Sequence, residues 1–72
     1  MKLLIFKTNI GSKTKLKAVQ SVFSRLETIK RWTVDMEDVD NVLRIEAVGP
    51  LEEHHVIDLI KARGLQCEVL TY

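Results

Sequence analysis

A chain of 72 residues can bury only one modest core, so residues 1–72 are expected to form a single domain with no second site-bearing unit. Hydrophobic residues are 46% and charged residues 29% of the chain, which excludes a disordered or membrane-spanning profile. Net charge is only +1, and the one cysteine, Cys67, allows neither an internal disulfide nor a cysteine-built metal site within one chain.

The first apolar block follows Met1 and Lys2 and stops at Lys7. It is too short for a signal peptide or a span of roughly 20 residues, so a cytoplasmic protein with no membrane partner is expected. Residues 3–8 read as a strand that is apolar on both sides at its start, and hence central in its sheet. From Ser12 or Thr14 the period changes: Leu16, Val19, Val22, Phe23 and Leu26 fall on one helical stripe, which predicts a helix of about four turns. Either hydroxyl is a competent N-cap. Trp32, Val34 and Met36 then alternate with Arg31, Thr33, Asp35 and Glu37, a half-buried strand, and residues 38–41 supply a turn rich in Asp and Asn.

Residues 42–48 predict a third strand with Leu43, Ile45 and Ala47 on one side and Arg44 and Glu46 on the other. After Gly49 and Pro50, Val56, Ile57, Leu59 and Ile60 mark a second helix, with Glu52 and Glu53 at its positive end and Lys61 and Arg63 at its negative end. Gly64 fits the position just past that helix, and residues 66–71 complete a last strand with Cys67 and Val69 on one side.

The order β-α-β-β-α-β predicts an α+β fold, the ferredoxin-like two-layer sandwich, with an antiparallel sheet in the order 4-1-3-2 and both helices on one face. Leu4, Phe6 and Ile10 then face the helices, and Leu3 and Ile5 lie on an open sheet face that could take a partner or a second copy as a homodimer. Charge is uneven along the chain: residues 1–31 hold eight basic residues against Glu27, and the remainder holds three basic against nine acidic. Whether the molecule is dipolar depends on whether the fold separates these halves or interleaves them.

Nearly the whole chain resembles the heavy-metal-associated domain family, which includes copper chaperones and modules of metal-transporting ATPases. The resemblance is carried by Thr8-Asn9-Ile10, the helix residues 18–26, the strand residues 32–37, and residues 60–64 before the last strand. In that family the loop after the first strand reads hydrophobe-x-Cys-x-x-Cys and holds a soft ion. Here Ile10 matches the hydrophobe, and Ser12 and Lys15 stand where the two cysteines would be. A serine hydroxyl is a hard ligand and a lysine ammonium has no free lone pair, so no metal is expected at this loop and no cofactor anywhere. Leu65 likewise stands where the resemblance implies a Lys or aromatic residue near the metal.

Three readings of the loop follow. A nucleotide-binding P-loop needs a Gly-Lys pair and an earlier glycine that Gly11-Ser12-Lys13-Thr14 does not provide. Alternatively, Ser12, Lys13, Lys15 and Lys17 at a helix N-terminus form a site for an anion or an acidic protein surface. Or the loop is structural, with Ser12 or Thr14 acting only as a cap.

Elsewhere, adjacent His54 and His55 diverge by about 100° on a helix. His54 and Asp58 have i, i+4 spacing, and with an intermolecular Cys67 they are the alternative ligands of a metal-handling Zn or Cu protein. No nucleophile, base and acid converge, so the chain is not expected to be an enzyme. Phe6, Phe23, Trp32 and Tyr72 do not supply the stacking pair of a nucleic-acid surface. The expectation is a non-catalytic interaction module that has lost its metal site.

Overall fold

The computed structural model describes residues 1–71. Its elements are β1 (Lys2–Thr8), α1 (Lys13–Phe23), β2 (Ile29–Asp35), β3 (Val42–Ala47), α2 (Glu53–Lys61) and β4 (Cys67–Val69). The strands form one antiparallel sheet in the order β2-β3-β1-β4, the expected 4-1-3-2 order read from the other edge. Tyr72, one of the aromatic residues weighed above, lies outside the described residues.

Alternation within each strand sorts the side chains. Leu4 and Phe6 of β1 and Leu43, Ile45 and Ala47 of β3 are buried against the helices. The helices contribute Val19, Val22 and Phe23 from α1 and Val56 and Ile60 from α2. Trp32, in register with Ile45, stands edge-on to Phe23 with ring centroids 5.2 Å apart. That arrangement suits the ring quadrupoles and adds about 0.5–1.5 kcal/mol to the area the pair buries. Ile10 is fully buried, so the chain leaving β1 is anchored before α1 begins.

Three elements differ in extent from the periodic pattern. Helix α1 ends at Phe23, about one turn early, because the chain tightens: Arg25 and Leu26 amides donate to the carbonyls of Val22 and Phe23, three residues back. Leu26 still packs on the core, which is why it falls on the stripe. Strand β2 lies two residues earlier than its alternation suggested and carries a bulge between Ile29 and Arg31. The bulge shifts the register, and Met36 falls in the turn instead of the strand. Strand β4 is only three residues long, although the Leu70 amide still donates to the Ile5 carbonyl at 3.1 Å. Val69 is 38% exposed, unlike Cys67 beside it, because the edge strand runs out beyond the helix cover.

The end of α2 is a Schellman closure. The Leu65 amide reaches back to the Ile60 carbonyl, and Gly64 has φ +76, a left-handed conformation a side chain would disfavour. The opposite face of the sheet is open, with Leu3 59% exposed and Ile5 partly so. Among the described residues no helix is long and apolar enough to cross a membrane.

Candidate functional site

Three connections meet at one end of the sheet: the β1–α1 loop, the β2–β3 turn and the α2–β4 connection. Thr8 joins the first two. Its hydroxyl, 7% exposed, donates to the Asn41 carbonyl at 2.7 Å and accepts from the Ile10 amide at 3.1 Å, while its own amide donates to the Asp40 carbonyl at 3.0 Å. Asn9 joins the first and third, since its Oδ1 accepts from the Gln66 amide at 2.9 Å. A buried hydroxyl with both roles filled carries no desolvation penalty, so these bonds hold the loop in one geometry.

Ser12 has extended backbone angles and its Oγ accepts from the Lys15 amide at 3.3 Å. It is the N-cap of α1, and Thr14 lies inside the helix. One orphan amide of the first turn is thereby satisfied. The Lys15 side chain folds back over the loop, and its Nζ donates to the Asn9 carbonyl at 3.2 Å. Lys13 and Lys17 are exposed, and the first turn of α1 contains no acidic residue. Among the described residues neither forms an ion pair; the pairs found are those of Lys7 with Asp40 at 3.7 Å and with Glu68 at 3.9 Å. The lysine cluster is therefore divided: one member is committed to the loop backbone and two project into solvent.

The two charge halves of the sequence are not separated in space at this end. Lys7 of the basic half lies against Asp40 and Glu68 of the acidic half, because β1 pairs with both β3 and β4. The dipolar arrangement the sequence allowed is absent here, since an antiparallel sheet brings its distant segments side by side.

A soft metal does not fit the loop. Ser12 is used as a cap, and Lys15 points a cationic donor at the carbonyl edge where a cation would approach. Among the described residues no group of three His, Cys, Asp or Glu side chains could hold a metal ion.

The histidine pair corrects the expected divergence. The rings of His54 and His55 lie 4.2 Å apart at 41°, because His55 turns back so that its Nδ1 accepts from the Glu52 amide at 3.3 Å. Rotamer choice at the helix start overrides the backbone angle between neighbouring residues. Cys67 is buried, and burial pushes its thiol up from 9.0 to about 11 despite the nearby Lys61. Leu65 is also buried, at 8% exposure, and belongs to the core.

No protein-family model and no curated protein matches the sequence. Solved structures do match in shape. The yeast copper transporter domain Ccc2a, studied in apo and Cu(I)-loaded states, has a TM-score of 0.82 at 12% identity, over 99% of this chain and 97% of that one. The Atx1–Cu(I)–Ccc2a complex gives 0.84 at 12% identity, over 99% and 97%. The copper-binding domain of the P-type ATPase HMA7 gives 0.81 at 12% identity, over 99% and 96%. The chain thus has the ferredoxin-like fold of heavy-metal-associated copper domains, and it carries that fold with Cys67 as its only cysteine and no Cys-x-x-Cys motif.

Proposed function

We propose that this domain is a non-catalytic binding module that keeps the fold of the copper domains and recognises an acidic protein surface or anion through its loop end. The observation that carries the reading is the placement of Lys13 and Lys17, exposed and without carboxylate partners among the described residues, at a helix start with no acidic residue in its first turn. Lys13, in the first turn, opposes the positive end of the helix dipole, and Lys17 adds a second positive charge one turn further on. A carboxylate or phosphate bound across them would relieve that repulsion and meet the free first-turn amides. The Atx1–Cu(I)–Ccc2a complex supports the fold as one that assembles with protein partners. In this chain Lys15 places a fixed positive charge on the loop, so binding would require no metal.

A short polyglutamate peptide and inorganic phosphate, titrated separately by calorimetry at low and high salt, test the reading. Wild type should bind the peptide with an affinity that falls as salt rises, and the triple variant Lys13→Gln, Lys15→Gln, Lys17→Gln should lose that binding. Unchanged binding by the triple variant would sink the proposal. The competing metal-handling reading rests on His54, Asp58 and an intermolecular Cys67. Titration with Cu(I) and Zn(II) decides it, because stoichiometric binding tighter than about 1 μM would replace the interaction module with a metal protein.

A further inference from the structure

The β2–β3 turn has a composition unlike the rest of the surface. Val39 at its tip is 91% exposed and Met36 39%, and both stand among Glu37, Asp38 and Asp40. The turn is also stiff. Asp35 Oδ1 accepts from the Glu37 amide at 3.2 Å, Asp38 Oδ1 accepts from the Asp40 amide at 2.8 Å, and the Asn41 amide donates to the Asp38 carbonyl at 3.0 Å. Asn41 closes the turn at φ 44, a left-handed angle that Asn tolerates. An apolar tip ringed by carboxylates is thus presented in an ordered shape.

The helix layer carries the complementary feature. Two adjoining depressions, of about 400 and 370 Å³, share Leu26, Leu59 and Ala62. The first is flanked by Arg25, just beyond α1, and Arg63, just beyond α2. Among the described residues neither guanidinium is paired with a carboxylate. None of the loop lysines lines either depression. The groove therefore offers an apolar floor and two free guanidiniums at one end, and the lysine cluster offers charge with no apolar seat.

We propose that the acidic turn of one copy of this chain seats in the interhelical groove of a second copy, with Val39 over Leu26, Leu59 and Ala62 and Glu37 toward Arg25 and Arg63. The occupant is named by matched chemistry: the turn supplies an apolar side chain for the floor and carboxylates for the Arg25 and Arg63 end, which lies in the first depression, whereas the groove's own carboxylate, Asp58, lines the second. Because the turn is ordered by its own hydrogen bonds, little conformational entropy is lost on seating. One turn in one groove covers less than the roughly 800 Å² per partner of a stable interface. A two-fold arrangement lets each copy use both features, which doubles the contact and closes the assembly as a dimer. Association is then weak, with a dissociation constant on the order of 100 μM.

Sedimentation of the full chain between about 10 μM and 1 mM reads this directly, with weight-average mass expected to rise toward that of a dimer. The substitutions Val39→Ser and R25E/R63E change only exposed side chains and should each hold the protein monomeric over the same range. Glu37→Arg should weaken association by itself, and mixing it with R25E/R63E should restore a heterodimer, because the swapped charges again oppose. Lys13→Gln with Lys17→Gln should leave the mass profile unchanged. A wild type that stays monomeric throughout overturns the proposal, as does self-association that survives Val39→Ser, or that is lost only on Leu3→Glu in the open sheet face.

Discussion

Ser12 and Cys67 show how one residue type acquires its role from its surroundings. Ser12 was legible as a cap, because a hydroxyl ahead of an amphipathic stripe is a local signal, but choosing it over Thr14 needed the backbone angles. Replacing Ser12 with Ala should cost about 1 kcal/mol, read as a lowered denaturant midpoint with an unchanged slope. Cys67 has a raised thiol, at about 11 against 9.0, so its ionisation is linked to folding in a defined direction. Below pH 9 both states hold the proton and stability does not depend on this group. Between pH 9 and 11 the unfolded chain releases it and the folded chain does not, so stability should fall by roughly 2 kcal/mol as pH rises through that window. Chemical denaturation at pH 8, 9, 10 and 11 measures this, and Cys67→Ala should flatten the Cys67 part of the slope. For the same reason a disulfide reagent at pH 8 should modify Cys67 only in unfolded protein.

At the scale of one element, helix α1 sets a dipole against its own side chains. Lys13 is the first helical residue, so Lys13→Gln should stabilise the domain by about 0.3–1 kcal/mol at low salt. Lys17 lies beyond the first turn, where the dipole has faded, and Lys17→Gln should be near neutral. Lys15→Gln combines two opposite effects: it relieves the dipole and removes the bond to the Asn9 carbonyl, worth about 1 kcal/mol. It should therefore stabilise less than Lys13→Gln, or destabilise, and thermal unfolding of the three single variants side by side checks that ranking. From sequence alone the three lysines looked equivalent. What distinguishes them is a loop carbonyl six residues earlier, and its position depends on Asn9 meeting Gln66 across 57 residues of chain.

For the whole molecule, the core joins one face of the sheet to both helices, and its largest fully buried residues include Phe6, Leu43, Ile45 and Ile60. Phe6→Ala should cost about 3–5 kcal/mol, a large share of the 5–15 kcal/mol that holds a typical domain folded. The variant should be largely unfolded at 37 °C by circular dichroism. The side of the sheet that faces water was legible from alternation, down to Leu3 on the open face. The interhelical groove was not, since Arg25, Leu26, Leu59, Ala62 and Arg63 come from two helix ends that no periodicity relates. Val39 stood in the sequence as one apolar residue inside an acidic turn, with no periodicity relating it to the two helix ends.

By itself the sequence determined the order of elements, the faces of each strand and helix, and the lack of a second thiol, because these depend on local periodicity and residue chemistry. Its resemblance to the heavy-metal-associated family also led to the expectation that Ser12 and Lys15 stand where a metal-binding pair would be. The tertiary structure alone decided that Lys15 is tied to Asn9, that Lys7 stands between Asp40 and Glu68, that the histidine rings meet, and that a groove opens between the helices. The Lys7 pairs and the groove join segments far apart in the chain, through strand pairing and packing, and the Lys15 and histidine contacts are local but turn on side-chain rotamers; residue pattern encodes neither.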